Sequence, residues 1–373
     1  MAGIYIHVPF CRRACHYCDF HFTTNLNKTE PLVLSILKEI EIQKDYLKGE
    51  SISTIYFGGG TPSLLPTSDI ENILVRIQEY HSVKSDAEMT LEANPEDLSI
   101  AKLKELQAIG INRLSLGTQS FINSELKWMN RMHSAEQATE AIKNAQNLGF
   151  DNISIDLIFG LPDQTKEDWE FNLDAALNLN VQHISSYGLT IEKKTVLGNR
   201  VEKGLEKQPD DELSSQFFKM NMNVLPTNGF EHYEISNFAK EGFISKHNSS
   251  YWRGIPYLGL GPSAHSFNGK MRQWNVRSNA AYISRISEGK PFFEIEELTE
   301  TNQLNEQIMI GLRTKWGIEK AKMEAIKSGA WAQLQLGLTD VDASHVHCTE
   351  NSLLLSEKGK LVADRLASEL FFD

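Results

Sequence analysis

Over the first 190 residues, short apolar runs alternate with longer stretches whose apolar positions recur at helical spacing. The runs at 4–8, 54–57, 88–92, 113–116, 152–158 and 183–189 have strand length. The stretches at 31–46, 68–80, 100–109, 135–148 and 166–179 read as amphipathic helices. Gly110 and Gly149 directly follow two of these helices, where helix C-termini favour glycine. A repeated strand–helix unit implies a parallel sheet covered by helices. Six units fall short of a closed eight-unit barrel, so the pattern predicts an α/β fold built on an open, partial (β/α)6 barrel.

After residue 190 the rhythm changes. Turns rich in glycine and proline appear, such as Gly254-Ile255-Pro256 and Gly259-Leu260-Gly261-Pro262. The region 191–298 is expected to be an α+β extension packed on the barrel's open edge. From 299 the chain becomes helical again, and Leu353-Leu354-Leu355-Ser356 followed by a helical run suggests a small winged-helix-like C-terminal domain over 299–373. A packing cap without a binding role is the alternative reading, since a fold does not specify a function. No repeat of 20–50 residues and no low-complexity tract interrupts this three-part division.

The formal net charge of −12 gives a field that repels phosphate backbones, and no Lys/Arg-rich run offsets it, so a nucleic-acid role is not expected. The start of the chain lacks the charged and long apolar regions of a signal peptide, and no apolar stretch is long enough to span a bilayer. A cytoplasmic protein is the expectation.

Three of the four cysteines, Cys11, Cys15 and Cys18, fall in one short segment with the spacing C-x3-C-x2-C, and Cys348 stands far away. This is not the pattern of a secreted disulfide framework. The segment follows the first strand, which places the thiols at the strand's C-terminal end, the face that carries chemistry in parallel barrels. Three thiolates can bind three irons of a [4Fe–4S] cubane and leave the fourth iron open to a small molecule. The other reading is zinc, with a fourth ligand drawn from His7, His16 or His21. A second motif, Gly58-Gly59-Gly60-Thr61-Pro62, follows the second strand, and glycines there let backbone approach a ligand. Glu92, Gln119 and Asp156 stand at or just after later strands, on the same face.

These motifs resemble the radical-SAM family, in particular the group of oxygen-independent coproporphyrinogen III oxidase and its relatives. Tyr17, between the second and third cysteines, fits the aromatic that the family places there. The resemblance implies a [4Fe–4S] cluster on Cys11, Cys15 and Cys18, with S-adenosylmethionine (SAM) held against its open iron. It carries SAM contacts onto Tyr5, Gly59, Gly60, Thr61, Glu92, Gln119, Arg131, Asp156, Thr190 and His265, some of which belong to a second SAM site in the oxidase. Two features depart from the oxidase: Phe20 stands where it has a further cysteine, and only ten residues precede Cys11. The segment His247-Asn248-Ser249-Ser250-Tyr251-Trp252 matches the H-N-x-x-Y-W segment of the HemW-type heme chaperones.

The resemblance thus implies heme binding and delivery of heme to an acceptor hemoprotein, a respiratory one being the expectation. It also implies an electron donor such as flavodoxin or ferredoxin, and a homodimer. His247, Tyr251 and Trp252 become candidate heme-binding residues, since imidazole ligates heme iron and aromatic faces pack on porphyrin. His232, His265 and Cys348 could serve as ligands on chemistry alone. The alternatives are an oxidase-like enzyme of porphyrin biosynthesis, acting on coproporphyrinogen, and a radical-SAM methyltransferase.

Overall fold

The computed structural model describes all 373 residues. Six parallel strands run side by side in chain order: β1 (Ala2–Val8), β2 (Ile52–Gly59), β3 (Val83–Ala93), β4 (Arg113–Gln119), β5 (Ile153–Phe159) and β6 (His183–Gly188). The helices between them are α1 (Thr29–Ile42), α2 (Thr67–Tyr80), α3 (Ile100–Ala108), a short α4 (Asn123–Trp128), α5 (Ala135–Asn147) and α6 (Lys166–Asn178). Local chemistry sets several of their ends. Ser134 with Gln137, and Thr165 with Asp168, form capping boxes at the starts of α5 and α6. Gly110 and Gly149 take φ of 92° and 90° where α3 and α5 stop.

The period-two alternation of each strand sorts side chains into two layers. Ile4, Ile6, Ile55, Phe57, Leu91, Leu114, Leu116, Ile155 and Ile184 pack outward under the helices, in one cluster of 50 buried residues. The other phase faces the barrel interior and is polar or aromatic. Register pairs Tyr5 with Tyr56, Tyr56 with Thr90, and Thr90 with Arg113; one step along, Glu92 pairs with Ser115, and Asp156 with Ser185. The interior is therefore lined with hydrogen-bonding groups rather than filled with aliphatic side chains.

The region after β6 widens the sheet at both of its edges. Two helices, α7 (Val196–Glu202) and the 17-residue α8 (Asp211–Thr227), lead to β7 (Glu231–Glu234) and β8 (Asn237–Ala239), and β8 pairs antiparallel to β6. After α9 (Lys246–Trp252), β9 (Tyr257–Leu260) returns to the opposite edge and pairs parallel to β1. Then β10 (His265–Phe267), β11 (Met271–Asn275) and, after α10 (Asn279–Ser287), β12 (Phe293–Glu297) continue antiparallel, completing a 12-stranded sheet.

The C-terminal residues form a winged-helix-like module with its own core of 15 buried residues. Its strands, β13 (Ile318–Glu319), β14 (Val346–Cys348) and β15 (Ser352–Leu355), pair in the order β13-β15-β14, packed by helices that begin with α11 (Glu300–Leu312). Arg313 ties the module to β7, donating from Nε and Nη2 to Glu234 Oε1 at 3.2 and 3.0 Å. No helix is long and apolar enough to cross a membrane.

Candidate functional site

The loop between β1 and α1 carries the three thiols, and hydrogen bonds pin it from two sides. The Cys11 N–H donates to the Thr23 carbonyl (3.0 Å) and the Thr23 N–H to that of Pro9 (2.7 Å). On the other side the turn after α4 supports the loop: the His16 N–H donates to the Met129 carbonyl (3.2 Å), its Nδ1 lies 2.8 Å from the Trp128 carbonyl, and Asn130 Nδ2 donates to the Ala14 carbonyl (2.7 Å). Cys11, Cys15 and Cys18 are free, half-buried, and line a cleft of about 530 Å³ at the C-terminal mouth of the barrel.

Arg131 organises this cleft. Its Nη1 donates to Cys15 Sγ (3.3 Å), and its Nη2 donates to Asn94 Oδ1 (2.6 Å) and the Gly117 carbonyl (2.8 Å). Asn94 passes the link on by donating to Thr61 Oγ1 (3.3 Å), and the Thr61 hydroxyl donates to Cys11 Sγ (3.5 Å). A guanidinium and a hydroxyl thus stand ready to stabilise thiolates. Burial, reinforced by the neighbouring thiols, pushes the Cys18 thiol up to about 11 and raises Cys11, with the Thr61 hydroxyl opposing the rise at Cys11. Arg131 Nε is buried without a partner. Gly60 has no room for a side chain, since a Cβ there would stand 2.7 Å from the Phe10 carbonyl oxygen.

Two acids line the same cleft. Glu92 accepts from the Tyr56 hydroxyl (2.8 Å) and the Gly59 N–H (3.1 Å). Burial pushes it up to about 7 against the Tyr56 hydroxyl, and the nearby Asp156 adds to the rise. Asp156 is pushed up to about 6, again chiefly by burial. Gln119, at the end of β4, sits in the left-handed region at φ 66°, a conformation that costs a non-glycine residue about 1 kcal/mol or more and tends to mark functional positions. Tyr17, Gly59, Gly60, Thr61 and Thr190 complete the predicted set that meets at this cleft.

These residues suit the cluster and the nucleoside: three unpaired thiols with donors at two of them, acids for a cationic ligand, and a glycine cradle. The thiols do not converge at the spacing of ligands around a single ion, and a cubane that takes one thiolate per iron does not require it. His7 and His16 have ring nitrogens engaged by Tyr5 and by the carbonyls of His21 and Trp128.

Other predicted residues lie elsewhere. Tyr5 and His265 line a second cavity of about 1020 Å³, which shares Gly59, Glu92, Asp19 and Phe20 with the first. Tyr251 and Trp252 line this second cavity too, but His247 does not. Helix α9 plugs the N-terminal end of the barrel: the backbone N–H groups of Lys246 and His247 donate to the Glu88 carboxylate. His247 is 1% exposed, its Nδ1 2.8 Å from the Thr54 hydroxyl and its Nε2 2.8 Å from the Tyr251 hydroxyl. Burial, helped by Arg113, pulls it down to about 3, and neither nitrogen is free for iron. His232 is similarly engaged, stacked on Phe238 with its nitrogens bonded to the Ile235 carbonyl and Lys360 Nζ. Cys348 is exposed on the C-terminal sheet, not the buried hydrophobe that a lone cysteine usually is.

Asn94, Gly117 and Tyr187 are site residues that sequence reasoning passed over. Asn94 carried a signal, lying two residues past Glu92 and directly before Pro95, where the chain leaves a strand.

The radical SAM superfamily model matches residues 5–176, from β1 into α6. The chain is 36% identical to the heme chaperone HemW of Bacillus subtilis, over 98% of each chain. It is 37% identical to that of Escherichia coli, over 70% of this chain and 69% of the relative. It is 33% identical to the zebrafish mitochondrial radical S-adenosyl methionine domain-containing protein 1, over 90% of this chain and 78% of the relative. Among solved structures, coproporphyrinogen III oxidase (HemN) from Escherichia coli superposes with a TM-score of 0.85 at 22% identity, covering 99% of this chain and 90% of that one, a likeness of fold. The thiol loop, the glycine cradle and this full-length similarity together establish that the chain belongs to the radical SAM superfamily and, within it, to the HemW family.

Proposed function

We propose that this chain is a heme chaperone: it binds heme, holds a [4Fe–4S] cluster and SAM in the adjoining cleft, and hands the heme to an acceptor hemoprotein. The observation that carries this reading is the union of two cavities at Gly59 and Glu92. One carries thiols, acids and a glycine cradle. The other is about twice as large, lined by aromatic rings and histidines, in a chain whose full-length relatives are named heme chaperones. Cys11, Cys15 and Cys18 would hold the cluster, which when bound would supply an open iron for lone-pair donors of SAM and an electron for its sulfonium. Arg131 and Thr61 orient two of the thiolates, Gly60 lets the thiol loop pack close through the Phe10 backbone, and Glu92 and Asp156 face the ligand's positive charge. The electron would come from a flavodoxin- or ferredoxin-type donor, and two copies of the chain would form the working dimer.

Anaerobic reconstitution with iron and sulfide, followed by hemin titration and a SAM-cleavage assay on one sample, tests this. A saturable Soret shift at about one heme per chain is expected. No shift would end the chaperone reading, and loss of carboxylates from added coproporphyrinogen would replace it with an oxidase-like enzyme.

A further inference from the structure

The second cavity has a wall that the H-N-x-x-Y-W segment does not supply. It is one face of the antiparallel extension. Strand alternation puts His265 and Phe267 of β10 on the same side, and Arg272 and Trp274 of β11 on the same side. Register then sets His265 across from Trp274, and Phe267 across from Arg272 and beside Tyr257 of β9. All five line the cavity. The residues between them, Ser266 and Gln273, point away and are buried. The result is an aromatic wall carrying one imidazole, with Trp274 tilted 33° to the imidazole and Phe267 tilted 42° to Tyr257.

Two features of that wall are chemically open. The His265 ring has no hydrogen-bond partner at either nitrogen, and it lies 6.3 Å, ring centre to ring centre, from Trp274. The other cavity histidines are committed in part or in full: His7 through both nitrogens, and His21 through Nε2 to Asn279 Oδ1. Burial and the guanidiniums of Arg272 and Arg277 lower the His265 basicity, favouring the neutral imidazole that ligates metal. Arg272 is paired with Glu306 and lies across from Glu296. Arg277 has no such acid partner and borders the same cavity. At about 1020 Å³ the space is at the upper end of the roughly 300–1,000 Å³ usual for small-molecule sites, which suits a large flat ligand.

Resting on the heme-chaperone reading, we infer that this cavity is the heme site, with His265 as an axial ligand to the iron and Arg277 pairing a propionate. Phe20, 73% exposed, lines both cavities and forms part of their common border. His247 serves the site only indirectly, by orienting the Tyr251 hydroxyl.

The test uses the full chain and hemin, read by Soret absorbance and dissociation constant. H265A should lose the histidine-ligated spectrum and bind about tenfold more weakly. H265C should restore tight binding with a thiolate-type spectrum, a change no merely structural role would produce. R277E should weaken hemin by about fivefold while leaving hemin dimethyl ester, which lacks free carboxylates, unaffected. If H265A and H265C bind hemin with the wild-type spectrum and affinity, the assignment is overturned while the chaperone reading stands. If the wild-type chain binds no hemin, the chaperone reading falls and this site with it.

Discussion

The two cavities share a border yet are built on different plans. The thiol cleft draws on the C-terminal ends of consecutive parallel strands, so its residues come in chain order, from Cys11 through Gly60, Glu92, Gln119 and Asp156 to Thr190. The second cavity is closed by residues 257–277 folding back beside β1, and its wall exists only through cross-strand pairing. A parallel barrel collects chemistry at one face because every strand ends there. An antiparallel extension collects whatever its register sets side by side, which no single motif announces.

The sharpest way to break the comparison is to remove one site and watch the other. C11A/C15A/C18A should abolish iron uptake, from about four irons per chain to none. Hemin affinity should be unchanged, because the His265 wall is built by pairing of β9, β10 and β11 and not by the thiol loop, which reaches this cavity only through Asp19, Phe20 and His21; a parallel loss of hemin binding would show that the two sites are one. Next in size is G259A. A Cβ at Gly259 would lie 2.0 Å from the His265 carbonyl oxygen and 2.8 Å from its carbonyl carbon, both backbone. The β9–β10 wall cannot then close as built, and stability should fall by about 3 kcal/mol, seen as a lower urea midpoint. Hemin binding should suffer more than cluster loading. An unchanged midpoint would mean that β9 and β10 approach less closely than described.

The first plan could be read along the chain and the second could not. All six barrel strands were visible as short runs whose outward phase is apolar, as Ile153, Ile155, Leu157 and Phe159 are around the inward Ser154 and Asp156. The cysteine spacing, the glycine cradle and the acids were visible because each is local. The helix α8 was hidden: its buried face, Phe217, Asn221, Met222 and Leu225, includes an asparagine, and Pro226 interrupts its last turn. The helix expected over 31–46 ends at Ile42 because the chain turns there toward Lys48 and Gly49, both at positive φ. The role of His247 depends on Thr54, 193 residues away, so its motif could not reveal that the ring plugs the barrel instead of facing a ligand.

The smallest effect concerns the joint between the two plans. Glu39 of α1 is fully buried and accepts from the Gly261 N–H (2.7 Å), Asn275 Nδ2 (2.6 Å) and the Tyr282 hydroxyl (2.5 Å), so one barrel helix is fastened to the turn after β9, to β11 and to α10 through a single carboxyl. Burial pushes it up from 4.5 to about 7, outweighing the three donors. Between those values the unfolded chain has released the proton and the folded chain has not. Unfolding then releases protons, so stability should fall as pH rises through the window and level off above it, by up to about 3 kcal/mol. Glu92 and Asp156 add slopes of the same sign, so the measurement is the difference between wild type and E39Q in urea midpoints from about pH 5 to about pH 7. The glutamine keeps an acceptor for Gly261 and Tyr282, and its amide meets Asn275 Nδ2 unless Asn275 turns to present Oδ1, giving up its bond to the Gly261 carbonyl. E39Q should flatten part of the slope. An unchanged slope would mean that Glu39 is already ionised in the folded chain, with three donors outweighing burial, and that the joint is held by charge rather than by a neutral acid.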